Sequence, residues 1–149
     1  MEYDKILRVV APCGLDCGAC VAFRDGPLRE ACVRIGSVLG PNFGAYAARF
    51  AATDPAYEDY PAFRRFLDHL ADAPCKGCRH GSCLFSSCDV PRCVREKGID
   101  FCFQCDEFPC GHTGLPPALE ARWRANNEAM SREDVSEYYR ELRERPRYP

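Results

Sequence analysis

Three Cys-x-x-Cys pairs, Cys17/Cys20, Cys75/Cys78 and Cys102/Cys105, constrain this chain more than any other feature of its sequence. A two-residue gap lets one tight turn aim two sulfurs at a single metal ion, and Gly18 and Gly77 supply the freedom such bends need. Two looser pairs, Cys88/Cys93 and Cys105/Cys110, can converge in the same way. A structural zinc site takes four ligands in a tetrahedron, so the knuckles must join in pairs. Twelve cysteines would also suit a disulfide scaffold, but that needs an oxidising compartment. Near the start, Arg8 interrupts the apolar run of Ile6 to Val10 that a secretory signal would require. The expected setting is therefore the cytoplasm, where thiols stay reduced and tight cysteine pairs read as metal ligands.

The formal net charge of −2 gives no whole-surface attraction to phosphate backbones or anionic membranes. Nor does any apolar stretch approach the roughly 20 residues of a membrane span. Nucleic acid and membrane are thus disfavoured as partners. A length of 149 residues suits one domain, residues 1–149. The cysteines fall in two zones, with a helical segment between them. Leu28, Cys32, Ile35 and Leu39 repeat at helical spacing and stop at Gly40-Pro41. Asn42 is positioned to cap a short helix through Tyr46 and Phe50. Phe63, Phe66, Leu67 and Leu70 form a second apolar stripe that ends at Ala73-Pro74. After Cys110, Pro116-Pro117 opens a helix through Leu119, Trp123 and Met130, and Ser131 reads as the N-cap of a last helix carrying Val135, Tyr138, Tyr139 and Leu142. Lys5 to Val10 and residues 99–103 alone suggest strands. The expected fold class is mainly α with small irregular or β zinc knuckles. It is a single cysteine-rich, metal-braced domain with knuckles at 13–20 and 75–110.

Cys32 lies on the apolar stripe and reads as a small core residue. Cys83 stands alone between Cys78 and Cys88, and its role stays open. Ten cysteines remain: Cys13, Cys17, Cys20, Cys75, Cys78, Cys88, Cys93, Cys102, Cys105 and Cys110. Two four-coordinate sites use eight of them, so about two zinc ions are expected. One site is expected from Cys88, Cys93, Cys102 and Cys105, the other from Cys17, Cys20, Cys75 and Cys78, with Cys13 and Cys110 as replacements. Four thiolates suit an iron–sulfur cluster as well. Cys13-x3-Cys17-x2-Cys20 has the spacing of radical S-adenosylmethionine enzymes, but the chain lacks the length and the strand–helix alternation of their barrel. His69, His80 and His112 read as structural or surface residues. Phe101, Phe103 and Phe108 sit among Asp100, Asp106 and Glu107, which favours packing around a metal over stacking on bases. Arg140, Arg143, Arg145 and Arg147 alternate with Glu141 and Glu144 as a solvated face does.

With these residues in place, the chain resembles domain-of-unknown-function family 3795, cysteine-rich proteins of bacteria and archaea. The resemblance is carried by Cys13-Gly14-Leu15-Asp16-Cys17-Gly18-Ala19-Cys20 and Cys75-Lys76-Gly77-Cys78. It continues through Cys88 and Cys93, then Glu96-Lys97-Gly98, then Phe101-Cys102-Phe103-Gln104-Cys105 and Glu107-Phe108-Pro109-Cys110. It implies a zinc-binding protein and no established reaction; Cys32 and Cys83 fall outside its pattern.

Three functions compete. The first is a zinc-stabilised binding module for another protein or a small ligand. The second is an iron–sulfur protein in electron transfer or redox sensing. The third is an enzyme using a metal-bound thiolate, which ranks last because open catalytic zinc sites mix histidine or carboxylate with water. No acid–base pair, serine triad or phosphate loop is evident. The loops Arg79–Ser87 and Gly111–Leu115 are the expected recognition surface.

Overall fold

The computed structural model describes residues 2–81 and 83–148. Among these residues the chain is mainly helical: seven α-helices, two short 3-10 helices and, in place of a sheet, an isolated bridge between Val10 and Asp16. No helix among them is long and apolar enough to cross a membrane. The chain divides into two compact units, one made of its first 20 residues and everything from Cys75 onward, the other running from Val21 to Pro74.

The first unit holds α1 (Glu2–Val9), α5 (Val90–Lys97), α6 (Pro117–Arg132) and α7 (Val135–Arg143). Its core is Ile6, Val10, Phe101, Met130, Val135 and Tyr138, with Phe103, Tyr139 and Leu142 packed around them. The expected strand from Lys5 to Val10 is instead helix α1. Its β-branched residues suggest a strand, but Ile6, Val9 and Val10 recur at i, i+3 and i+4, which lays them on one helical face. Residues 99–103 also form no strand. They lead into a 3-10 helix over Cys102–Gln104, where Gln104 Oε1 accepts from the amides of Asp100 at 2.8 Å and Phe101 at 3.0 Å. Helix α5 was hidden among the cysteines. Pro91 in its first turn and Gly98 at its left-handed C-cap mark its ends, while Val90 and Val94 are its buried face. The break between α6 and α7 falls after Ser131. Ser131 bonds back to the Glu128 carbonyl within α6, and Asp134 occupies the cap position of α7.

The second unit holds α2 (Pro27–Leu39), α3 (Phe43–Phe50), a 3-10 turn over Pro55–Asp59 and α4 (Tyr60–Ala71). Arg29 Nε at the start of α2 donates to the carbonyl of Ala71 at the end of α4, and Gly36 faces Leu67, so the two helices run antiparallel. Cys32, Ala47 and Leu67 are buried here, and Cys32 packs in the core as its place on the stripe required. Only part of the expected α4 stripe is covered: Leu67 is 4% exposed, but Phe66 is 62% exposed.

Candidate metal centre

Eleven of the twelve cysteines lie in the first unit; Cys32 is the exception. The loop carrying Cys13 and Cys17 is shaped by hydrogen bonds at both ends. The Ala11 amide bonds the Leu15 carbonyl at 2.9 Å, and the Cys17 amide bonds the Val9 carbonyl at 2.6 Å. Gly14 sits at φ +79, and a Cβ there would meet Asn126 Cβ at 2.5 Å, so glycine is required both by its conformation and by its close approach to α6.

Helix α6 fastens this loop. Asn126 Nδ2 donates to the Cys13 carbonyl at 3.3 Å, and Tyr138 Oη of α7 donates to the Gly14 carbonyl at 2.7 Å. Asn127 is fully buried and joins two cysteine loops at once. Its Nδ2 reaches the Pro12 carbonyl at 3.4 Å, and its Oδ1 accepts from the Phe103 amide at 3.0 Å. Sequence reasoning missed both asparagines. The available signal was Asn127 itself, a polar, helix-poor residue on the stripe of Trp123 and Met130, where a polar side chain needs partners.

The sulfurs form two groups. In the first, the thiols act on one another in sequence: Cys17 with Cys78, Cys78 with Cys83, and Cys83 with Cys88. Hydrogen bonds from the Cys78 and Cys88 thiols pull Cys83 far below the usual thiol range, and hydrogen bonding to Cys78 also lowers Cys17. Cys78 and Cys88 are pushed up by the same bonds. Cys13 adjoins this row and is driven up to about 12 by burial. Several of these sulfurs accept the backbone amide two residues on: Leu15 to Cys13, Phe85 to Cys83, and Val90 to Cys88. In the Cys75–Cys78 turn Gly77, at φ +87, donates in the same way to Cys75 Sγ at 3.4 Å. Such bonds favour thiolates.

The second group is Cys93, Cys102, Cys105 and Cys110, whose charges act on one another. Lys97 Nζ donates to Cys105 Sγ at 3.2 Å and pairs with Glu107 at 3.1 Å. Burial pushes the Cys102 thiol up to about 11, while the Trp123 indole beside it favours the thiolate. Trp123 Nε1 is buried without a hydrogen-bond partner among the described residues, beside Cys102.

Cations stand by both groups. Arg79 Nη1 donates to the Asp100 carbonyl at 2.7 Å, its guanidinium lies 4.8 Å above the Phe101 ring, and its charge acts on Cys17 and Cys13. Arg147 acts on Cys17 as well.

Cys83, left open by the sequence, is thus central to the first row. Cys110 acts on Cys102 together with Cys93 and Cys105, and Cys88 acts on Cys83. Cys17 and Cys78 act on one another, and Cys20 Sγ accepts from Tyr148 Oη at 3.6 Å. His69, His80 and His112 are all exposed. The expected recognition loops are largely exposed, with two inward exceptions. Arg79 turns inward, and Thr113 is 4% exposed, its carbonyl accepting the Asp89 amide at 2.9 Å. Ser82, in the first loop, lies outside the described residues. Phe101 is fully buried and Phe108 packs on Trp123 at 5.2 Å, so these aromatics are core rather than a stacking platform.

Among the described residues, no three cysteine, histidine or carboxylate side chains already converge on a point where an ion would sit. The donor set fits a thiophilic ion in its chemistry, and the sulfurs must close from a row into a tetrahedron to enclose one.

A sequence family described as "Protein of unknown function (DUF3795)" matches residues 9–114. The chain belongs to this family. The matched stretch contains every cysteine, while the α6 and α7 residues that fasten the Cys13 loop lie beyond it. No curated protein and no solved structure matches the chain.

Proposed function

We propose that this DUF3795 protein holds zinc at two thiolate centres and works as a metal-braced binding module in a reducing, cytoplasmic setting. The observation that carries the reading is the sorting of cysteines into two groups, each supplied with N–H donors and a cation. Cys17, Cys78, Cys83 and Cys88 would hold one ion, with Cys13 adjoining, and Cys93, Cys102, Cys105 and Cys110 the other. When bound, zinc supplies a four-bonded cross-link without redox chemistry. The protons shared along the first row would leave on binding, so affinity should rise with pH. Four thiolates around a divalent ion leave net negative charge, which Arg79, Arg147 and Lys97 offset. All-thiolate shells hold no open position for substrate, which favours bracing over turnover. Support for a docking role comes from Leu84 and Phe85, which are 66% and 41% exposed between Cys83 and Cys88. Closing the first centre would hold these apolar side chains outward for another protein.

Elemental analysis and a visible spectrum of protein purified without oxygen test the metal. Zinc near two ions per chain and no colour are expected. Iron with equimolar sulfide, or metal-free chain with its cysteines in disulfides, would overturn the reading.

A further inference from the structure

Away from the sulfurs, the first unit has a cleft of about 180 Å³ whose walls are the Leu15–Asp16 turn, the α6 residues Arg122 and Asn126, and the chain from Leu142 to Arg147. Three arginines line it, against the single carboxylate of Asp16. Arg147 is held in place: its Nε donates to the Asp16 carbonyl at 2.9 Å and its guanidinium lies 5.1 Å from the Tyr148 ring centre. Arg145 pairs with Glu141 at 3.1 Å. Arg122 makes no ion pair or hydrogen bond among the described residues, although it lines the same cleft.

We infer that this cleft is a binding site for a small phosphate-bearing ligand. With Glu141 pairing Arg145, the charged groups at the cleft leave a net positive charge, which favours an anion such as phosphate. Guanidinium groups present forked N–H donors that fit phosphate oxygens two at a time. Arg122 and Arg147 have no carboxylate paired with them among the described residues, and an anion between like charges relieves their repulsion. The cleft is smaller than the roughly 300–1,000 Å³ of pockets for drug-sized molecules, so a nucleotide is too large. Leu15, Leu142 and Pro146 add an apolar wall, which suits the carbon end of a small phosphate monoester as well as free phosphate. Asp16 and Arg147 fix the site's shape through the backbone, while Arg122 is the arm that meets the ligand. Arg122, unlike Arg147, has no part in the zinc reading, so its variant tests the cleft separately.

The experiment is calorimetric titration of the purified full chain with inorganic phosphate and, separately, with glycerol 3-phosphate. Ionic strength is held constant with chloride to keep screening equal. Saturable binding at one site per chain is expected, with a dissociation constant on the order of 1 mM or tighter. Tighter binding of glycerol 3-phosphate assigns the cleft to monoesters; equal or weaker binding assigns it to free phosphate. Arg122→Gln should weaken binding about tenfold, the loss expected for one charge-assisted hydrogen bond. Arg124→Gln, on the same helix but outside the cleft, should leave it unchanged, with circular dichroism showing both variants folded. No saturable binding of either probe would overturn the proposal, as would equal losses in the two variants, which would mean bulk charge alone.

Discussion

Asn127→Ala should destabilise the protein by about 3 to 4 kcal/mol, more than most single substitutions. The side chain is fully buried, so nothing from solvent replaces its bonds. The Phe103 amide, now bonded to Asn127 Oδ1 at 3.0 Å, would be left without an acceptor, at about 1–3 kcal/mol. The Pro12 carbonyl loses a longer bond of 3.4 Å, worth about 0.5–1 kcal/mol. The bond to the Trp123 carbonyl counts for little, because that oxygen also accepts the helical amide four residues on. The void left by the missing amide group adds about 1 kcal/mol. Urea unfolding followed by circular dichroism, under reducing conditions, measures the sum; the matching fall in melting temperature is about 10 °C. Asn126→Ala is the internal control, since it removes one part-buried bond of 3.3 Å and should cost about 1 kcal/mol. If Asn127→Ala proves no more damaging than Asn126→Ala, the claim that Asn127 joins the two cysteine loops is wrong.

Trp123→Phe keeps an aromatic ring against Phe108 but removes the indole N–H beside Cys102. Zinc at the second centre should then bind about tenfold more weakly in competition with a chromogenic chelator, and an unchanged affinity would remove Trp123 from the site. Burial pushes the Tyr138 hydroxyl up to about 12. Its folded value lies above its unfolded value of about 10, so its contribution is complete below pH 10 and is lost as pH rises toward 12. Tyrosinate absorbance should show a late component, to which Tyr3 also contributes because burial and Asp100 raise it, and Tyr138→Phe should remove one tyrosine's share of that component.

The helices that the sequence revealed are those with punctuation. Gly40 after α2 and Pro116-Pro117 before α6 bracket periodic segments, and each helix lies where those marks place it. α1 and α5 were misread or missed for a common reason: short apolar runs fit strand, helix or loop alike until packing decides. In α5 the cysteines drew attention from the Val90/Val94 pair that buries the helix. The membership of the cysteine groups depends on contacts far apart in sequence. Cys17 acts on Cys78, and Cys13 on Cys83, across long stretches of sequence, and α6 holds the Cys13 loop in place. Spacing therefore singled out the cysteines but not which of them lie together. Cys83 was legible in part, since it stands five residues from both Cys78 and Cys88, the separation that also relates Cys88 to Cys93. The two arginines that reach inward, Arg79 and Arg147, carried no sequence signal, because their roles depend on backbone carbonyls of Val10, Asp16 and Asp100.

The central claim is that two groups of thiols each hold an ion, and metal content per chain in single-cysteine variants tests it most directly. Wild type and Cys32→Ala should both carry about two zinc ions, since Cys32 is a core residue of the other unit. Cys83→Ser and Cys105→Ser should each fall to about one, one variant for each group. Full zinc content in both serine variants would contradict the account, as would a loss of zinc in Cys32→Ala equal to theirs.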